Sequence, residues 1–228
     1  MIVIENRTLR GVLKWVIPFV LIPAAVLAGA LVFEEARHLF VSFAVAALSV
    51  LLFLAGIERR RTGTRRMVLT AVMTALCIAG RFIPLCKPVT AVIILAAMYL
   101  GCEAGFLTGA MAALLSNFFF GQGPWTAFQM LAWGMIGWLA GILAEPLKRH
   151  RAMLLLFGVL AGVAYSMIMD VWTVLQYNGS FDVSLYLAKF LTAIPHMLLY
   201  AASNFVFLLW MGKPFGEKLE RIRIKYGV

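Results

Sequence analysis

The chain has 228 residues, of which 63% are hydrophobic and 13% charged, with 20 Lys and Arg against 10 Asp and Glu. A soluble domain carries about a quarter charged residues, so this composition excludes one and indicates a protein with several membrane-spanning segments. The basic residues lie in short loops and at the termini rather than on one soluble face, which argues against a nucleic-acid partner. Three cysteines without CxxC spacing indicate small apolar residues rather than a metal or redox site.

Apolar stretches follow one another along the chain, and most are long enough to cross a hydrocarbon core of roughly 30 Å at about 1.5 Å per residue. The fourth stretch is short and begins at Pro88, so a re-entrant segment is the alternative there. The stretches are 12–33, 39–57, 67–83, 88–100, 104–120, 126–144, 152–177 and 187–211.

The positions of the basic residues favour eight crossings. With eight spans and a cytoplasmic N-terminus, most of the 20 basic residues face the cytoplasm. If residues 88–100 did not cross, fewer than half of them would do so. The positive-inside bias therefore predicts eight crossings with both termini in the cytoplasm.

The first two stretches have the character of an addition to a six-helix core. They contain little polar sequence apart from the turn at residues 34–38, and the basic run at 58–66 has the composition of a linker. We therefore predict an all-α integral membrane protein. Residues 1–61 form a two-helix membrane extension with a basic linker, and residues 62–228 form the six-helix core.

The stretch SNFFFGQGPWTAFQ, from Ser116 to Gln129, is the most informative part of the chain. A polar turn, Gly121 to Pro124, separates two apolar helices there. Backbone that leaves helical geometry at the edge of a membrane is tolerated where it is buried or lines a watery cavity. Polar and aromatic groups that converge on such a turn indicate a pocket for a small molecule.

In the predicted orientation, four core helices carry polar or aromatic side chains into the outer half of the membrane. The predicted substrate-binding residues are Arg81, Lys87, Asn117, Gln122, Trp125, Gln129, Trp133, Asp170, Gln176, Tyr177 and His196. Structural alternatives stay open for several of them. Arg81 can snorkel to the interface or pair with Asp170, and the tryptophans can belong to an interfacial belt. His196 follows Pro195 and can cap carbonyls that the proline frees.

Small residues recur at every fourth position on several predicted helices, and such stripes let helix backbones approach closely. Most of them are expected to pack the bundle internally, while a stripe at the edge of the bundle would dock a partner. The stripes are Gly101, Gly105 and Gly109; Gly137 and Gly141; Gly158 and Gly162; and Ala71, Ala75 and Ala79.

The core resembles the S component of an energy-coupling factor (ECF) transporter, the vitamin-capture subunit of a bacterial ABC-type importer. The resemblance covers about residues 62–228. It rests on Arg81 followed by Lys87-Pro88-Val89, on EAGFLTGA from Glu103, and above all on SNFFFGQGPWTAFQ. The FFFGQGPWT segment resembles the branch that includes cobalamin-specific S components.

That resemblance implies a multi-pass subunit of the bacterial plasma membrane that binds a vitamin, cobalamin or a related one, at its extracellular side. It also implies a transmembrane coupling subunit and two cytoplasmic ATPase subunits as partners, with no catalysis and no cofactor or metal in this chain. In the family, alanines spaced by four on the first core helix face the coupling subunit. The matching residues here are Ala71, Ala75 and Ala79.

Two other functions compete with this interpretation. A proton-coupled secondary transporter of a small polar solute would use Asp170 or His196 as a relay, but the internal repeats common in such carriers are not visible. An enzyme that acts on a lipid headgroup would need a nucleophile with a base, or paired acidic residues for a metal. Neither arrangement is evident in the sequence.

Overall fold

A computed structural model describes residues 6–32, 38–57, 60–84 and 86–227, and these residues form helices without any strand. The predicted all-α fold is confirmed, and the described part of each predicted apolar stretch lies in a helix except for a few residues at the ends. Most of the predicted 34–38 turn lies outside the described residues. The helices are α1 Arg7–Val16, α2 Ile22–Val32, α3 His38–Ala55, α4 Arg60–Arg81, α5 Val89–Leu100, α6 Cys102–Phe120, α7 Trp125–Ile142, α8 Ala144–Arg149, α9 Arg151–Asn178 and α10 Val183–Tyr226.

The first helix is continuous through a π-helical turn at Ile17–Leu21, which joins α1 to α2. Pro18 is the second residue of this turn, and Pro23 lies just after it. A proline has no N–H for the helical ladder, and a π-turn is a common way to absorb such an interruption. The combined helix therefore stays long enough to cross a membrane.

Among the described residues, five helical segments are long and apolar enough to cross a membrane. They are Arg7–Leu31, His38–Ala55, Cys102–Phe120, Arg151–Asn178 and Val183–Tyr226. Helix α5 has 12 residues and is buried along most of its length, with Ile93 and Ile94 fully enclosed. A helix that is apolar all round belongs in the centre of a bundle. The eight crossings and the cytoplasmic termini remain predictions.

Glycine stripes bring the core helices into close contact, as predicted. A Cβ on Gly109 would lie 2.4 Å from the backbone oxygen of Trp133, and one on Gly137 would lie 2.4 Å from the backbone oxygen of Gly105. Helices α6 and α7 therefore pack backbone to backbone. Gly101 differs from the prediction: it has a φ of 94° and forms the break between α5 and α6.

The basic run at 58–66 was predicted as a linker, but its described part, from residue 60 onward, forms the first turns of α4. Arg66 anchors this part of the helix, with its Nε donating to the carbonyl of Leu100 and its Nη1 to that of Gly56. We call this end of the bundle, where α4 begins and α10 ends, the basic end. We call the opposite end, at Gly121–Pro124, the turn end.

Helix α10 continues well past the predicted apolar stretch and reaches Tyr226. At about 1.5 Å per residue, its 44 residues exceed the thickness of a hydrocarbon core of roughly 30 Å. Its last turn lies beside α4 at the basic end, where Nη1 of Arg65 donates a hydrogen bond to the Tyr226 carbonyl. Pro214 lies inside this final part of the helix.

Candidate substrate site

Arg81, the last residue of α4, is the centre of a cluster at the turn end. Its Nη1 donates hydrogen bonds to Oδ1 of Asn117 at 2.6 Å and to Oγ of Ser116 at 2.5 Å. Its guanidinium also lies over two rings, 4.9 Å from the centroid of Phe120 and 5.4 Å from that of Trp133. All four partners are neutral, so the positive charge of the half-buried arginine is not balanced by them.

The amide of Asn117 continues the cluster across the bundle. Its Nδ2 donates to Oγ1 of Thr126 at 2.9 Å and to Oε1 of Gln129 at 2.8 Å. Nε2 of Gln129 then donates to the hydroxyl of Tyr165 at 3.0 Å. These four residues are buried, and satisfied buried networks of this kind hold their members rigidly. Helices α6, α7 and α9 are thus joined by one chain of hydrogen bonds.

Gln122 holds the turn between α6 and α7. Its Nε2 donates to the carbonyl of Leu114 at 2.8 Å, and its Oε1 accepts from the hydroxyl of Thr126 at 3.0 Å. Gly121 has a φ of 100°, which side-chain-bearing residues rarely adopt, so the chain can leave α6 sharply. Both ends of the predicted ligand residue Gln122 are therefore already engaged within the protein.

Aromatic side chains line the cluster on the side of α9 and α10. Trp133 stacks on Tyr165 with ring centroids 5.1 Å apart, and Tyr165 meets the ring of Tyr200 edge-on at 5.4 Å. The exposed His196 follows, with its ring 4.8 Å from Tyr200. Nε1 of Trp133 is buried and forms no hydrogen bond. A buried indole N–H without an acceptor is unusual in a protein interior.

Lys87 adds a second cation to this end. Its Nζ lies 5.8 Å from the centroid of Phe120, the same ring that Arg81 covers. Its backbone carbonyl accepts a hydrogen bond from the hydroxyl of Ser203 in α10, which fixes the start of α5. Neither cation forms an ion pair with any acid among the described residues. The cluster is thus cationic, amide-rich and aromatic.

Asp170 lies apart from this cluster. The alternative that it pairs with Arg81 is wrong, because the arginine binds Ser116 and Asn117 of α6 instead. Asp170 is 8% exposed, and its Oδ2 has no hydrogen-bond partner in the described part of the chain.

The remaining predicted residues on α7 and α9 have neighbours other than Arg81. Trp125 packs edge-on against Trp172, with centroids 5.7 Å apart. Gln176 lines a small cavity between the N-terminal helices and the core. Tyr177 is 76% exposed, and Nζ of Lys189 lies 5.9 Å from its ring centroid. The structure thus brings most of the predicted residues together around Arg81, while the contacts described for Trp125, Gln176 and Tyr177 are with other residues.

Sequence reasoning missed several members of the cluster, namely Ser116, Phe120, Tyr165 and Tyr200. Ser116 and Phe120 belong to the segment SNFFFGQGPWTAFQ, so their closeness to Asn117 in the sequence could have indicated that they are part of the cluster. Tyr165 is in the middle of an apolar helix and Tyr200 follows His196, and nothing local marks either one.

Glu103 at the basic end was also missed as a charged centre. Its Oε2 lies 2.8 Å from Nη2 of Arg66, and its Oε1 lies 2.8 Å from Nζ of Lys14. A single carboxylate at the start of a long apolar helix was the available signal, because a buried charge needs partners. This ion triad ties α1 to α4 and α6.

The three alanines predicted to dock a partner are all exposed along α4. Val68 and Val72 lie on the same exposed stretch of that helix, 56% and 51% exposed. This face of α4 is therefore apolar and is not covered by other described parts of the chain.

These features define a class: an all-helical integral membrane protein with a cationic, aromatic cluster at one end. Residues 61–219 match the family described as ECF-type riboflavin transporter, S component. Because the match covers more than half of the chain, the chain belongs to that family. No curated protein and no solved structure matches the chain.

Membership has direct consequences for function. S components are transport subunits rather than enzymes, and the family implies a vitamin substrate, ECF transmembrane and ATPase modules as partners, and a place in the bacterial plasma membrane. The match supports an S component without supporting the cobalamin-specific branch.

Proposed function

We propose that the cluster around Arg81 captures a vitamin at the extracellular side and that the chain delivers it with the separate ATPase modules. One observation carries this proposal: among the described residues, the half-buried guanidinium is held by neutral oxygens and ring faces only. A partly desolvated cation without a counter-ion favours a ligand with phosphate or carbonyl oxygens. Lys87 strengthens the same preference.

We propose cobalamin as the substrate. It is a large molecule with many amide groups and one phosphate, and it would meet amide side chains at Asn117 and Gln129 and cations at Arg81 and Lys87. No acid pairs with these cations among the described residues, so a phosphate would not be repelled there. The resemblance of the FFFGQGPWT segment to the cobalamin-specific branch supports the same choice.

Riboflavin is the second candidate because the matched family carries its name. The stacked rings of Trp133 and Tyr165, together with Phe120, offer faces against which a flat heteroaromatic ring packs well. Riboflavin has no phosphate, so Arg81 would meet its ring carbonyl oxygens instead.

The test is a calorimetric titration of the purified, detergent-solubilised full chain with cobalamin and, separately, with riboflavin. Tight one-to-one binding of cobalamin is the expected result. If riboflavin alone binds tightly, riboflavin replaces cobalamin as the proposed substrate, and the proposed role of the chain in vitamin capture stands.

If neither vitamin binds, both substrate proposals fail, and a proton-coupled transporter with Asp170 as its relay becomes the hypothesis to test. Lys218→Gln is a matched control for later site variants, because it removes an exposed cation at the basic end, far along the chain from Arg81.

A further inference from the structure

A second cavity, of about 650 Å³, lies at the basic end between α5, α8, α9 and α10. Its apolar lining includes Met98, Leu147, Leu154 and Leu208. Gly212 contributes no side chain, so the cavity stays open along α10. The cavity shares no lining residue with the cluster around Arg81, and the inference does not depend on the function proposed for that cluster.

The rim of this cavity carries more positive than negative charge. Its cations are Lys148, Arg149, Arg151, Lys213 and Arg223, and its acids are Glu145, Glu217 and Glu220. Three of the cations have partners within the protein. Lys148 lies 3.8 Å from Glu145, Arg223 lies 3.4 Å from Glu220, and Arg151 donates to the carbonyl of Leu209. In the described part of the chain, Arg149 and Lys213 form no ion pair.

We propose that this cavity binds an anionic phospholipid, with the phosphate between Arg149 and Lys213 and an acyl chain against the apolar lining. The basic rim of the cavity suits the phosphate of such a lipid, and the apolar lining suits its acyl chain. A free phosphate would satisfy the cations but would leave the apolar lining empty. Basic pockets between membrane helices commonly hold lipid headgroups of this kind.

The position of the cavity supports a lipid rather than a soluble ligand. Trp210 is close in sequence to the residues of α10 that line the cavity, and it is 73% exposed. Tryptophan is enriched at membrane interfaces. Residues of α8 and of the charged end of α10 also line the cavity. The headgroup would therefore be at the boundary between the apolar helices and water.

The experiment is native mass spectrometry of the full chain released from mixed micelles that contain phosphatidylglycerol and phosphatidylcholine in equal amounts. The wild-type chain should retain one phosphatidylglycerol in preference to phosphatidylcholine. Arg149→Gln with Lys213→Gln should reduce that preference about fivefold or more, because each basic group near a surface contributes measurably to anionic-lipid binding.

The matched control is Lys218→Gln with Arg221→Gln, which removes two exposed cations from the same helix without altering the cavity. This control should keep the wild-type preference. An equal loss in both double variants would overturn the proposal in favour of general surface attraction. A wild-type chain without lipid preference, or one whose phosphatidylglycerol is displaced by millimolar inorganic phosphate alone, would overturn it as well.

Discussion

The ammonium of Lys14 in α1 lies 2.8 Å from the carboxylate of Glu103 in α6. The other carboxylate oxygen lies 2.8 Å from Arg66 of α4, and the Glu103 side chain is 8% exposed. The N-terminal helix pair is thus joined to the core by an ion triad. A carboxylate buried this far is stable only while its partners remain, because an isolated charge in this environment is costly.

Glu103→Gln should therefore destabilise the protein strongly. Loss of one partner of a buried ion pair costs about 3–5 kcal/mol, because the remaining charges stay desolvated. Thermal unfolding of the detergent-solubilised chain measures the effect. Glu220→Gln is the control, since its pair with Arg223 is partly exposed and such pairs contribute about 0–1 kcal/mol. If both variants lower the melting temperature by similar amounts, the proposed stabilising role of the ion triad is contradicted.

Arg81→Gln should lower vitamin affinity about ten- to hundredfold, the range expected when a charge-assisted hydrogen bond is lost. Arg81→Lys should fall between this variant and the wild type. It keeps the charge but lacks the planar guanidinium, whose Nη1 donates to both Ser116 and Asn117. Calorimetry on the purified chain measures both variants, with Lys218→Gln as the control. Unchanged affinity in Arg81→Gln would remove this residue from the binding site.

Tyr165→Phe should destabilise the protein by about 1–3 kcal/mol, because the buried amide of Gln129 loses its acceptor. The phenyl ring still stacks on Trp133, so the packing is retained. The melting temperature with and without vitamin gives the readout. Tyr177→Phe, which alters a hydroxyl on a 76% exposed residue, should leave the melting temperature unchanged. If the Tyr165→Phe chain is as stable as the wild type, the hydrogen bond between Gln129 and Tyr165 contributes little to the free energy of unfolding.

Ala75→Trp should abolish vitamin uptake in cells while vitamin binding by the purified chain is retained. The exposed face of α4 would then be too bulky for a coupling subunit to approach. Leu160→Trp is the control, because it enlarges a residue that is 54% exposed on α9. If Ala75→Trp transports normally, or if both variants fail equally, the docking role of the alanine face is rejected.

Much of the candidate site was predictable because its members are close in sequence. Asn117, Gln122 and Gln129 flank one tight turn, so any pairing of α6 with α7 brings them together. Their hydrogen-bond partners were not predictable in the same way. The sequence alone does not indicate that the side chain of Gln122 forms hydrogen bonds with Leu114 and Thr126 rather than with a ligand.

Local composition by itself determined the helical, membrane-embedded character of this protein, because runs of apolar residues of sufficient length have few other stable forms in a bilayer. Only the tertiary structure decided that Arg81 binds α6 instead of Asp170, and that Lys14 meets Glu103. Such pairs join residues far apart in the chain. They depend on which helix faces touch, and the close approach of α6 and α7 through their glycines sets those faces.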